Sequence, residues 1–232
     1  MFDFSILADE WPTYLEGLIN TSWLVALSLV LGLCIALPMA LARNSSNPLL
    51  RLPAWAYIYF FRGTPLLVQL FILYYGAGQW QALRESWLWQ WLQEAWFCAL
   101  LAFALNTAAY TAEIIRGALN TIPKGEKEAA LAFGMTQWQT FKNILLPSAA
   151  RRALPAYSNE VIFMLHGSAV AGIITVVDLT GAARIINARY YSPFEAFLTA
   201  GVLYLCLSLC LIGLFRRLER RWYAHLRPRA QA

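Results

Sequence analysis

Three ionisable side chains fall within apolar stretches of this 232-residue chain: Glu113, Glu160 and His166. An ionisable group at the centre of a spanning helix costs roughly 2.5–3.5 kcal/mol on insertion scales, so such groups mark function by default. Glu160 has two readings. Its carboxylate can serve as counter-charge to a guanidinium or ammonium, or it can form a structural pair with Arg62, Arg151 or Arg152. Glu113 lies three residues before Arg116, and the two can pair to anchor one end of their helix. His166 reads as a packed, neutral imidazole bonded to a neighbour. Asn106, Tyr110 and Glu113 step by four and three, which makes one polar stripe on a helix, and Tyr157, Glu160 and Met164 step in a similar way. Catalytic patterns are absent from the sequence. There are two histidines, no HExxH and no GxSxG, and the four cysteines have no zinc-like spacing. An intramembrane enzyme is therefore disfavoured, and no pattern asks for a metal or cofactor.

The elements that must position these groups are apolar. Hydrophobic residues make up 59% of the chain and charged residues 13%, against about 25% charged in soluble domains. A crossing helix needs about 20 apolar residues. Five runs qualify and predict spans over about 21–42, 54–78, 97–119, 155–177 and 196–215 in one domain of residues 1–232. Asp3, Asp9, Glu10 and Glu16 precede the first run and no Lys or Arg comes before Arg43, so the first run reads as a true span rather than a cleaved signal. Pro38 is a candidate kink. Pro65 biases Thr64 away from helix, so the second span is expected to open with a broken first turn, with Arg62 satisfying the freed carbonyls. Five of the ten tryptophans fall between Trp80 and Trp96. Trp80, Leu83, Trp87 and Trp91 recur at helical spacing and predict an amphipathic helix at the headgroup level. Residues 178–195 form a second outer loop. Cys34, Cys98, Cys206 and Cys210 lie in apolar runs and are expected to be buried as small hydrophobes.

Lys and Arg are distributed with a strong bias. Fifteen of the 18 fall on residues 43–62, on residues 116–152 and in the C-terminal tail, and only Arg84, Arg184 and Arg189 fall on the other face. The positive-inside rule then puts the N-terminus outside, and the 120–154 loop and the tail in the cytoplasm. The basic tail is read as attracting anionic membrane lipid, not nucleic acid. The 120–154 loop reads as two short helices. Thr121 or Pro123 starts the first, and Gly134 stops it in the left-handed conformation. Thr136 and Gln139 make a capping box for the second, which Pro147 ends. Ala129, Ala130 and Ala132 permit close approach of another backbone, and Glu128 adds a charge. By itself this is also the pattern of an ordinary solvated hairpin.

Longer patterns resolve that ambiguity. Glu128-Ala129-Ala130, then Gly134, then Ile144-x-Leu146-Pro147 resembles the EAA loop of ABC importer permeases. Phe61-Arg62-Gly63-Thr64-Pro65-Leu66 with Gln69, and Tyr110-Thr111-Ala112-Glu113-Ile114 with Arg116-Gly117, resemble span motifs of the polar amino acid subfamily. Leu154-Pro155-Ala156-Tyr157-Ser158-Asn159-Glu160 is similar to the permease subunits of histidine and lysine/arginine/ornithine importers, with octopine and nopaline importers close by. His166-Gly167-Ser168-Ala169 departs from the subfamily's Lys-Asp-Thr-Ser, as the histidine-type permeases also do.

The resemblance covers nearly the whole chain. It implies an all-α integral membrane protein of five transmembrane helices with the type I ABC importer permease fold. It also implies a homologous permease partner, two ATP-binding subunits and a periplasmic substrate-binding protein. Glu128, Ala129, Ala130, Gly134, Ile144, Leu146 and Pro147 become the candidate contacts to the ATPase. Glu160, Asn159, Tyr157, Asn106, Tyr110, Glu113 and Ser168 become the candidate substrate-binding set. The cargo is expected to be arginine, histidine, lysine, ornithine or an opine, with another polar amino acid as the alternative. The chain has no GxxxxGK[ST], so ATP hydrolysis is assigned to a partner. A freestanding carrier would have no use for the EAA loop.

Overall fold

The computed structural model describes residues 5–222. Asp3 and the end of the basic tail, including His225, lie outside the described residues. Among the described residues the regular structure is entirely helical. Helix α1 covers Trp11–Arg43, α2 Pro48–Gly63, α3 Leu66–Phe71, α4 Ala95–Asn120 and α5 Lys124–Ala132. They are followed by α6 Gln137–Thr140, α7 Leu146–Gly167, α8 Leu179–Tyr190 and α9 Pro193–Trp222. Three helices, α1, α4 and α9, are long and apolar enough to cross a membrane, and the count rises to five if each of two bent pairs is one span.

Helix α4 is the centre of the bundle. Ala99, Ala102, Ala108, Ala109 and Ala112 along it are fully buried. Small residues let neighbouring backbones approach, which is how helices gain packing energy where lipid removes the hydrophobic drive. Helix α1 uses the same device. A Cβ on Gly32 would stand 2.4 Å from Thr107 Cγ2 and 3.2 Å from the Ala104 carbonyl oxygen.

Helix α1 starts at Trp11, ten residues before the expected span 21–42, and Pro38 lies inside it. Its N-terminal part is clamped to residues 177–196. The Tyr14 hydroxyl donates to the Ala196 carbonyl at 2.9 Å, Asn20 to the Val177 carbonyl at 2.9 Å, and the Leu179 N–H to Thr21 Oγ1 at 3.0 Å. Asp178 caps α8 by accepting from the Gly181 N–H at 2.7 Å. Glu10 accepts from Thr13, Tyr190 and Arg189. These bonds, the Thr13 hydroxyl foremost, hold its carboxyl below the usual glutamate range.

Three sequence expectations change here. The break at Thr64-Pro65 is not in a first turn. Sixteen residues of α2 precede it, and the chain turns by 106° between Pro48–Gly63 and Leu66–Gln79. The tryptophan-rich segment is not one amphipathic helix. It forms two single turns, Gln81–Arg84 and Trp89–Leu92. Leu83 and Trp89 pack on the core while Trp80 and Trp87 stand about 70% exposed on the chain. Of the cysteines only Cys98 is buried; Cys34, Cys206 and Cys210 face outward, where apolar surroundings would be lipid or another subunit.

The α1–α4 crossing yields a paired prediction. Overpacking costs about 1–3 kcal/mol, so Gly32→Ala should lower the melting temperature of the detergent-solubilised protein. Adding Thr107→Ser removes the clashing methyl, keeps the hydroxyl, and should restore the lost stability. A double variant no more stable than Gly32→Ala would contradict this packing.

Candidate functional site

Breaking a helix at membrane depth frees carbonyls that lipid cannot satisfy. Pro65 makes the break, since Thr64 before it is held extended at φ −119°, ψ 146°. The side chains that answer it come from α3 and α4. Gln69, buried, donates to the Phe61 carbonyl at 2.9 Å and to the Thr64 carbonyl at 3.0 Å. Asn106 donates to Gln69 Oε1 at 3.0 Å and to the Phe61 carbonyl at 3.3 Å. Thr64 Oγ1 donates to the Phe60 carbonyl at 2.8 Å, and the Tyr110 hydroxyl reaches the Arg62 carbonyl at 3.5 Å. Gln69 and Asn106 thus do the work expected of the Arg62 side chain. The Arg62 guanidinium instead lies over the Tyr110 ring, 5.2 Å from its centroid, where the ring quadrupole attracts it.

Thr107, one residue after Asn106, donates to Glu160 Oε1 at 2.8 Å. Glu160 is 7% exposed. Thr107, not an arginine, is the group bonded to its carboxylate. Arg152 pairs with Glu126 at 3.5 Å and Arg62 sits on Tyr110. A buried carboxylate held by one hydroxyl is costly, which argues against a purely structural role.

Glu160 opens on a cavity of about 570 Å³ between α3, α4 and α7, which Asn106, Tyr110, Asn159 and Met164 also line. Ligand sites commonly span about 300–1,000 Å³. Four of the seven candidate residues therefore meet at one cavity. Three do not. Tyr157 lines a different, apolar cleft and packs its ring 6.3 Å from that of Phe215, because three residues before Glu160 is a 60° offset on a helix. Glu113 is engaged by Arg116 through both carboxylate oxygens, the closest contact at 2.7 Å, with Arg43 3.9 Å away. Ser168 is fully buried and donates to the Leu165 carbonyl at 2.7 Å. His166 is bonded to Ser208 at 3.1 Å, though it is exposed rather than packed. Sequence reasoning missed Thr107. A threonine in a helix so often bonds to its own preceding turn that its presence carries little signal.

The 120–154 loop also differs in one respect. Helix α5 carries Glu128 and Ala129 exposed and Ala130 buried. Gly134 has φ +77°, and Thr136 and Gln139 form a reciprocal capping box with bonds of 2.8 and 3.2 Å. Pro147, however, ends nothing. Phe141–Leu145, which includes Ile144, is a π turn in which the Leu146 N–H bonds to Phe141, five residues back. That rerouted ladder lets the chain pass Leu146 and Pro147, at the first turn of α7 where a proline's missing N–H is not needed. Pro155, the expected start of the fourth span, is likewise inside α7. The helical path runs from Gln137 to Ile174. Leu131, Phe133 and Trp138 beside it are 43%, 89% and 68% exposed, leaving an apolar face around the short helices.

These features define a helical membrane transport subunit, and comparison with known proteins identifies the family. Residues 28–223 match the family described as binding-protein-dependent transport system inner membrane component, and the chain belongs to it. It is 48% identical over 231 residues to the histidine/lysine/arginine/ornithine transport system permease protein HisM of Escherichia coli (strain K12), covering 96% of this chain and 97% of that protein. It is 42% identical over 228 residues to the nopaline transport system permease protein NocM of Agrobacterium fabrum (strain C58 / ATCC 33970), covering 98% and 95%. Among solved structures, a chain of the amino acid ABC transporter crystallised with histidines superposes with a TM-score of 0.85 at 35% identity, covering 95% of this chain and 99% of that one. The fold is that of a type I ABC importer permease.

The carbonyl network generates a prediction. An unsatisfied buried polar group costs about 1–3 kcal/mol, so Gln69→Leu and Gln69→Glu should both destabilise the protein, because neither returns the amide donor to the Phe61 and Thr64 carbonyls. Thermal melts of the two solubilised variants check this; a Gln69→Leu protein as stable as wild type would contradict it.

Proposed function

We propose that the chain is the permease subunit of an ATP-driven importer for basic amino acids (arginine, histidine, lysine, ornithine) or related opines. The observation that carries this is Glu160, a buried carboxylate that is bonded to Thr107 rather than ion-paired with an arginine among the described residues, with the Arg62 charge near enough to act on it, and that lines a cavity with Asn106, Tyr110 and Asn159. A carboxylate so placed recognises a guanidinium or ammonium by charge-assisted hydrogen bonds. The Asn159 amide and the Tyr110 hydroxyl offer donors for the α-carboxylate, while the Asn106 amide hydrogens are already engaged by Gln69 and Phe61 and leave its carbonyl oxygen as an acceptor for an ammonium. The names of the histidine/lysine/arginine/ornithine and nopaline relatives agree with that cargo.

In this reading residues 1–232 form one membrane domain in which each bent pair crosses once, giving five spans. The N-terminus is periplasmic, and α5, α6 and the C-terminus are cytoplasmic. The chain pairs with a homologous permease, two ATP-binding subunits and a periplasmic binding protein. Glu128, Ala129, Ala130 and Gly134 present α5 to the ATPase, while Ile144, Leu146 and Pro147 join that contact to α7. Nucleotide-driven movement of α5 passes along the helical path from Gln137 to the cavity, switching the bundle between outward-open and inward-open states.

Two substitutions test the two halves of this assignment. Glu160→Gln should cut uptake of arginine, histidine and lysine roughly ten- to a hundredfold, while the complex still assembles. Unchanged uptake would remove Glu160 from the path. Glu128→Lys should uncouple, leaving basal ATP hydrolysis but abolishing its stimulation by loaded binding protein. Full stimulation with full uptake would refute the docking assignment.

A further inference from the structure

We propose that the second large cleft holds one acyl chain of an acidic phospholipid, from the leaflet at the arginine-rich end of the bundle. The cleft, of about 640 Å³, lies between α1, α4, α7 and α9 and is almost wholly apolar. Cys34, Ile115, Ala150, Leu154, Leu218 and Trp222 are among its walls. All four helices contribute their residues from the same end, near the close of α1, α4 and α9 and the start of α7. The cleft adjoins the Glu160 cavity only at Ile114, which lines both, and the inference depends on membrane residence rather than on the cargo.

Charge selects the occupant. Arg216, Arg217, Arg220 and Arg221 are exposed on the last turns of α9, the helix that also supplies Leu218 and Trp222 to the cleft. Among the described residues none of the four takes part in an ion pair. Arginine beside a membrane surface favours acidic headgroups by about fivefold per residue. Trp222, 41% exposed at the mouth, is a residue type that settles at headgroup level. An acyl chain fills an apolar slot without bringing polar groups that would need partners. A helix from another protein would bring its own side chains to a wall that offers almost no hydrogen-bonding group, and would have to fit beside four arginines. The lipid would sit between α9 and α7, bracing the helix that carries Glu160.

Native mass spectrometry of the assembled transporter, purified in mild detergent from membranes containing phosphatidylglycerol and phosphatidylethanolamine, tests this. The wild-type complex should retain phosphatidylglycerol on this subunit. Ala150→Trp, whose residue is exposed on the cleft wall, should reduce retention at least about fivefold with the ATP-binding subunits still co-purifying. Cys34→Trp, also at an exposed wall position, fills the slot from the opposite side and should act alike if Ala150→Trp fails to assemble. Replacing the four arginines by glutamine should keep a lipid but remove the preference for the acidic one. Equal retention in wild type and filled variants, or equal retention of the two lipids by wild type, would overturn the proposal. So would a wild-type complex in which a Cys34 thiol probe, read at the peptide level, is blocked after delipidation, since a protein segment would then occupy the cleft.

Discussion

A polypeptide that breaks its backbone at membrane depth must satisfy the freed carbonyls from within, and much of this structure follows from that constraint. Pro65 turns the second segment through 106°. Gln69 and Asn106 then tie the exposed carbonyls to α4. Because Asn106 must reach the break, the register of α4 is set, and Thr107 next to it is directed at Glu160. The residue that closes the broken helix and the residue that steadies the buried carboxylate are therefore neighbours on one buried, alanine-rich helix. The cavity lies beside them, between α4, α7 and the start of α3, which leaves α2 at that sharp angle.

A continuous helical path also joins the exposed loop to that cavity, the route the proposed motion would take. The EAA-type segment does not end at Pro147. The π turn at Phe141–Leu145 absorbs the register change, and the helical path continues to Ile174. Arg152 on α7 pairs with Glu126 on α5, so the exposed α5 is linked to α7 by charge as well as by chain. At the far end, α8 folds back and is clamped to α1 through Thr21, Asn20 and the capped Asp178. One helical element thus has the exposed α5 attached at one end, the Glu160 carboxylate near its middle and the α8 segment bonded to α1 at the other.

The fold class could be read from the sequence because apolar run length is a compositional property, and the family because the long EAA pattern and the span motifs carry a resemblance that residue order alone reveals. The capping box at Thr136–Gln139 and the left-handed Gly134 are local, and the structure shows both. What escaped sequence reading depends on tertiary context. Pro147 is a helix breaker by propensity, yet a π turn upstream accommodates it. The tryptophans at 80–96 share a helical period but not a single helix, because Leu83 and Trp89 are drawn into the core separately. Asn106, Tyr110, Asn159 and Glu160 converge on one cavity, whereas Tyr157 and Glu113 have side-chain neighbours on other elements or turns that spacing alone does not reveal. Thr107 had no distinguishing signal, since its role exists only once α4 meets α7.

The account's central claim is that the Glu160 carboxylate recognises positive charge in the cargo. Equilibrium binding to the assembled transporter, measured by calorimetry without the periplasmic protein, tests it most directly with arginine and citrulline, which are near-isosteric and differ in charge. Arginine should bind at least about tenfold more tightly than citrulline. Equal affinity for the two would contradict the claim.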